Sequence, residues 1–268
     1  MQKISKNKLK WLRQLQQKKY RNQYRAYLIS GLRAVQEALN SPQIRLKAIL
    51  IVENHLHLMN ELPAFHCNEI FSLNEKEFSQ IVDEKTPQGI AVIAERPQLQ
   101  LLTDKLPKRL LFVERVNDPG NLGTLLRSAA WFGWQTILLS PNSVDPYAPK
   151  TVRASAGTIA HLRLFEGITA QQIREIKKKN RHLLVASTVK ERQPLEQFFP
   201  SNKEKIILAL GSEAHGLSEE ILAMSEHRLT ISRSGVGESL NLAMAGTIFL
   251  YHFSLTGKLS VQEKIKNG

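Results

Sequence analysis

The 268-residue sequence has one cysteine, Cys67, so no intramolecular disulfide can form and a cysteine-based zinc cluster is excluded. No run approaches the roughly 18 consecutive apolar residues that a membrane-spanning helix needs, and the start lacks the apolar core of a secretory signal. These absences predict a protein that stays in the cytoplasm. Several chemistries also lack their residues. No GxGxxG follows the first strand of the second half, no GxxxxGKS or GxxxxGKT occurs, and no HExxH or Cys/His cluster offers metal ligands. Dinucleotide, nucleotide-triphosphate and zinc mechanisms lose support, and no metal is expected.

Acidic residues are missing from the first 30 positions, which carry nine basic ones: Lys3, Lys6, Lys8, Lys10, Arg13, Lys18, Lys19, Arg21 and Arg25. Much of the net charge of +13 is therefore held in one arm, residues 1–26. Such a block attracts phosphates through counterion release, which makes nucleic acid the natural partner and an acidic membrane surface the second choice. A solvated helix face is the plainer alternative, and Leu9, Leu12 and Leu15 recur at helical spacing that would lay the arm on the body. The composition also resembles a transit peptide, but the basic run leads directly into a folded pattern. Lys8, Lys10, Lys18, Lys19, Arg21 and Arg25, with Arg33 just beyond, are the candidate nucleic-acid contacts.

Residues 27–98 read as a small α/β unit, with helices at 31–39 and 74–82 and strands at 48–52 and 89–94. Residues 99–107 mix Pro, Leu, Gln and Lys without clean periodicity and form the expected linker. Beyond it, strand-like runs at 110–116, 135–139, 182–186, 206–210 and 229–231 alternate with helical segments at 121–132, 149–160, 170–179, 218–224 and 239–253. That alternation predicts a mostly parallel sheet covered on both faces, with ligands beyond the carboxyl ends of its strands.

Three loops lie there. The first contains Asn121, Leu122, Gly123 and Arg127, the arginine standing on an otherwise apolar helix. A phosphate would suit its planar fork, and a local carboxylate such as Glu114 or Asp118 is the structural alternative. The second, Gly211-Ser212-Glu213-Ala214-His215-Gly216, allows close backbone approach. His215 is a possible general base there, although a loop histidine is more often simply solvated. In the third, Ser239 is a plausible helix cap, with Asn241 in the first turn and the small residues Ala243, Ala245 and Gly246 after it.

Taken as an ordered set, Asn121 through Arg127, the Gly211/Glu213/Gly216 loop and Ser239-Leu240-Asn241 resemble the three motifs of the SpoU (TrmH) family of RNA ribose 2′-O-methyltransferases. The resemblance covers residues 107–255. Gly31-Leu32-Arg33-Ala34-Val35 and Thr86-Pro87-Gln88-Gly89-Ile90 look, more loosely, like the substrate-binding domain that precedes the catalytic one in ribosomal-RNA members. The resemblance implies an α/β fold, a deep trefoil knot in residues 108–268, a homodimer packed knot on knot, and S-adenosylmethionine held around Thr188, Leu210, Gly211, Gly216, Ile231 and Leu240. It assigns Arg127, Asn121, Glu213, Ser239 and Asn241 to the catalytic site, Arg127 as phosphate anchor rather than base, and RNA, ribosomal in the first place, as substrate. Where the family usually shows Pro-Met after the last strand, this chain has Ser232-Arg233. Two alternatives remain at this stage, a non-catalytic RNA-binding or ribosome-assembly factor and a transfer-RNA methyltransferase.

Overall fold

The computed structural model describes residues 1–97, 106–189, 193–201 and 203–266, with side chains through residue 255. Residues 98–105, which include most of the expected linker 99–107, lie outside the described residues. In chain order the elements are β1 (Gln2–Lys3), α1 (Lys6–Gln14), α2 (Lys18–Tyr24), β2 (Ala26–Ser30), α3 (Leu32–Leu39), β3 (Leu46–Val52), β4 (Ile70–Leu73), α4 (Glu75–Ser79) and β5 (Ile90–Glu95). They continue with β6 (Arg109–Val113), α5 (Pro119–Trp131), β7 (Thr136–Leu139), α6 (Pro149–Ala154), β8 (Arg163–Glu166), α7 (Ala170–Asn180) and β9 (His182–Ser187). The last are β10 (Gln193–Pro194), β11 (Lys205–Leu210), α8 (Glu219–Ala223), β12 (His227–Thr230) and α9 (Leu242–Lys266).

Two compact units result. The first comprises residues 1–98, 122–127 and 145–161; the second comprises 99–121, 128–144 and 162–268.

In the first unit a five-stranded sheet runs β1-β4-β3-β5-β2. The basic arm is part of its core: Ile4, Leu9, Leu12 and Leu15 are buried with Leu50, Phe71, Leu73 and Phe78. Apolar spacing on α1 therefore leaves Lys10 exposed, and Lys18 and Lys19 at the start of α2 are exposed as well. Arg21, expected among the nucleic-acid contacts, is instead 3% exposed. Its Nε and Nη2 donate to Asp145 at 3.0 and 2.6 Å, and its Nη1 donates to the Leu15 carbonyl at 2.7 Å. Lys8 pairs with Glu69 at 3.0 Å and Arg25 with Glu95 at 3.3 Å. The two N-terminal motifs meet. Gly31 N–H donates to Ile90, and the Gln88 side chain accepts from Leu32 N–H at 2.8 Å, capping α3, which has no capping side chain of its own. Arg33 follows on α3, exposed.

The second unit holds a seven-stranded, all-parallel sheet in the order β10-β12-β9-β11-β6-β7-β8. Its strands are apolar on both faces, as a sheet covered on both sides requires, with Leu110, Phe112, Leu184, Ile207 and Ala209 in one core cluster. Several boundaries differ from the sequence reading. Strands β1, β2, β4, β8 and β10 are additional to the sequence reading. Segment 149–160 is α6 and a separate 3₁₀ turn, Thr158–His161, because Ala156 and Gly157 adopt φ of 51° and 86°. Helix α9 starts at Leu242 rather than at 239, since the Asn241 side chain accepts from Met244 N–H at 2.8 Å and is the effective cap.

Candidate active site

Strands β12, β9 and β11 are adjacent and parallel, so their carboxyl ends share one edge. Leu229 pairs with Ser187 and Ala209 with Ala186, and Thr188 N–H donates to Leu229 at 2.9 Å. This register brings Thr188, Leu210-Gly211 and Ile231 to neighbouring strand ends. β6 joins them from the far side of β11, with Glu114 N–H donating to the Leu210 carbonyl.

The loop after β11 turns back on itself. Ser212 and Gly216 form an antiparallel bridge, Gly216 has φ of +66°, and Ser212 Oγ accepts from His215 N–H. A Cβ at Gly211 would lie 2.1 Å from the Gly216 carbonyl carbon and 2.3 Å from Leu217 N. Gly211 is therefore required by the loop's own closure. That need was invisible in the letters, which suggested only close approach of a ligand. His215 is exposed.

Helix α5 opens with Asp118, which accepts from Asn121 N–H at 2.7 Å, and Pro119 occupies its first turn. Asn121 is thereby placed to donate from Nδ2 to Glu213 Oε1 at 2.5 Å, joining two of the three motifs. Glu114, 8% exposed, accepts from Ser218 N–H at 2.7 Å. Both local carboxylates considered as partners for Arg127 are thus engaged elsewhere. Arg127 is exposed, and among the described residues it carries no ion pair. It stands six residues after Asn121, about 9 Å farther along the helix. Gly123 lets α5 approach α6 closely, since a Cβ there would lie 2.4 Å from the Thr151 carbonyl oxygen.

Residues 232–241 are exposed throughout, Ser239 and Leu240 included. Ser232 donates to Glu196, and that bond is the main reason the Glu196 carboxyl sits below its ordinary pKa. Arg233 donates to the Gly237 carbonyl. The departure from Pro-Met thus creates a tie to the segment before β11. Ala243 and Gly246 face inward on α9, while Met244, Ile248 and Tyr251 form the exposed face. Thr247 bonds Ser128 of α5 at 2.7 Å. The small residues therefore let α9 lie on its own protein. Among the described residues no group of His, Cys, Asp and Glu could hold a metal ion, and no helix is long and apolar enough to cross a membrane.

Residues 6–92 match the MRM3-like substrate binding domain and residues 108–251 the SpoU rRNA Methylase family. The chain is 31% identical over 246 residues to the Bacillus subtilis 23S rRNA (guanosine(2553)-2′-O)-methyltransferase RlmP, covering 91% of this chain and 95% of that one. Among solved structures it resembles a putative RNA methyltransferase of the TrmH family from Porphyromonas gingivalis, with TM-score 0.82, 30% identity and coverage of 93% and 98%. It also resembles an AdoMet-bound rRNA methyltransferase from Sinorhizobium meliloti, with TM-score 0.79, 26% identity and coverage of 96% and 98%. A family match over more than half the sequence and a relative aligned almost end to end agree: the chain belongs to the SpoU rRNA methylase family.

Proposed function

We propose that this protein methylates a ribose 2′-hydroxyl of structured ribosomal RNA, using S-adenosylmethionine. The observation that carries the reading is the Asn121–Glu213 hydrogen bond, which ties α5 to the Gly211 loop while Arg127 on the same helix stays exposed and without an ion pair. The relative's 23S rRNA 2′-O specificity supports the RNA and the atom.

The strand ends fit the cofactor. They offer backbone groups at Thr188, Leu210-Gly211 and Ile231, to which the family adds Leu240 in the segment before α9, and a Cβ added at Gly216, Gly235 or Gly237 would meet nothing, so space is open there. S-adenosylmethionine, when bound, supplies a methyl on a positive sulfonium, leaving the protein the tasks of positioning and proton removal. Arg127 holds the phosphate beside the target ribose through its planar fork; a guanidinium offers donors and no acceptor, so it is a poor base. The 2′-hydroxyl proton passes to a phosphate oxygen or to water. Asn121 and Glu213 fix the start of α5 against the Gly211 loop, and Asn241 fixes the start of α9. Ser239 lies in the exposed segment leading into α9, where RNA enters.

Further parts of the reading have their own support. Exposed Trp131, Met244, Ile248 and Tyr251 make an apolar face suited to a homodimer. A trefoil knot in 108–268, a domain boundary near residue 100 and a cytoplasmic location follow the family. Lys10, Lys18, Lys19 and Arg33, all exposed, are the cations of the first unit proposed to meet RNA.

Incubated with labelled S-adenosylmethionine and ribosomal RNA, the protein is expected to transfer label to the RNA; none transferred to any ribosomal RNA would refute the reading. Gly211→Ala pushes a methyl into the Gly216-Leu217 backbone, so calorimetry should show S-adenosylmethionine affinity reduced at least about tenfold, the equivalent of roughly 1.4 kcal/mol. Unchanged affinity would remove the Gly211 loop from the cofactor site.

A further inference from the structure

The opposite edge of the parallel sheet, where its strands begin, carries charge that the methyl-transfer site does not use. Because all seven strands are parallel, their starts line up. Lys205 pairs with His182, Ile206 with Arg109 and Thr136 with Arg163. Ile206 N–H donates to the Lys108 carbonyl at 2.7 Å, and Arg163 N–H to the Gln135 carbonyl at 2.8 Å. Reading across β9, β11, β6, β7 and β8, the first residues or those just before them are Arg181, Lys205, Lys108-Arg109, Gln135-Thr136 and Arg163. Four interstrand spacings of about 4.8 Å make a band roughly 19 Å long.

Part of the band is concave. A cleft of about 340 Å³ is lined by Lys108, Arg109, Gln135, Thr136 and Arg163, together with Pro107 and Gly133, and none of these is acidic. Its cations are held in place. Arg109 donates from Nη1 to the Phe253 carbonyl at 2.6 Å and lies 5.5 Å over the Trp134 ring; Arg163 lies 5.5 Å from the centre of the Phe165 ring. Glu204, the acidic residue beside Lys205 in sequence, accepts from Ser201 N–H at 2.6 Å. His182, at the start of β9, is held below its ordinary pKa by burial first, against the pull of its bond to Pro107, and then by the charge of Lys205. Guanidinium groups held by the Phe253 carbonyl and by aromatic rings, with Lys108, Gln and Thr beside them and no carboxylate lining the cleft among the described residues, match a chain of phosphates.

We propose that this band, centred on Lys108, Arg109 and Arg163, is a second contact for the RNA sugar-phosphate backbone, anchoring a part of the substrate that flanks the target nucleotide. The inference rests on the reading that the substrate is structured RNA. Strands of four to six residues separate the two edges by roughly 13–20 Å, so an RNA touching both must be folded or long. The contact reads phosphate spacing rather than bases and would raise affinity for large substrates alone.

The test compares wild type with the Lys108→Gln/Arg163→Gln/Lys205→Gln variant in filter binding to a long ribosomal RNA fragment and to a short hairpin, across salt concentrations. Arg109 is left intact because it holds Phe253. For the long RNA, affinity near 0.15 M salt should fall at least about tenfold, and the slope of log K against log salt should shrink by about 2–3. S-adenosylmethionine affinity and hairpin binding should be unchanged. A Lys108→Arg/Arg163→Lys/Lys205→Arg variant should bind like wild type. Unchanged long-RNA affinity and slope would overturn the proposal. So would failure of the charge-conserving variant, or losses seen only with anionic phosphatidylserine vesicles. Binding is read without turnover, so a failure to methylate RNA would count against the proposed function and not against this surface.

Discussion

Arg127→Ala is expected to lower the rate of methyl transfer about 100- to 1,000-fold, the range seen when one charged or hydrogen-bonding group is removed from a reacting centre. Calorimetry on the same variant should find S-adenosylmethionine bound as in wild type. The separation follows from where the side chain lies. Arg127 is exposed on α5 and has no ion pair among the described residues, so its removal breaks none there. The proposed cofactor contacts are backbone groups at strand ends, and Arg127 is not among them. Arg127→Lys keeps the charge but not the fork, and its rate should fall between the two. Equal loss of transfer and of cofactor binding in Arg127→Ala would make the arginine structural and remove it from the chemistry.

The largest stability effect is expected at Asp145. Its carboxylate accepts two bonds from Arg21 and one from Tyr147 N–H at 3.0 Å, and Arg96 lies 3.6 Å away. Both members of the Arg21–Asp145 pair are about 5% exposed at the side chain or less. Removing one partner of such a pair leaves an uncompensated buried charge, which costs about 3–5 kcal/mol. Asp145→Ala should therefore lower the melting temperature by about 10 °C or more. The exposed pair Arg153–Asp83 provides the contrast: at 2.9 Å, against 2.6 Å, it is also within hydrogen-bond distance, yet its side chains are 43% and 54% exposed. Asp83→Ala should cost at most about 1 kcal/mol. Equal effects of the two substitutions in thermal melts would show that burial does not set the worth of these pairs.

The contrast between these two sites matches what could be read in the letters. The alternating apolar runs from 110 to 231 gave the parallel sheet, because buried parallel strands are apolar on both faces whatever their neighbours. Strand β8, Arg163-Leu164-Phe165-Glu166, escaped because it lies at the end of the sheet order, where charged ends are tolerated and the run is short. Asn241, not Ser239, caps α9, and either type would serve; only the backbone path decides between them. Arg21 looked like its basic neighbours. Its burial depends on Asp145, 124 residues away, which no local pattern reveals.

The site was legible as types and order, less so as contacts. Asn121 and Glu213 do meet, 92 positions apart, as two motifs of one family should. The glycines have different purposes: Gly123 serves helix packing, Gly211 the closure of its own loop, and Gly31 a turn capped by Gln88. Ser232, the departure from the usual Pro-Met, binds Glu196 and so has a structural use that no motif could announce.

The most direct measurement is mass spectrometry of nucleosides from ribosomal RNA methylated by the purified protein with isotope-labelled S-adenosylmethionine. The expected result is the label on a 2′-O-methyl ribose at one nucleotide, absent when Arg127→Ala replaces the wild type. Label on a base would contradict the proposed chemistry.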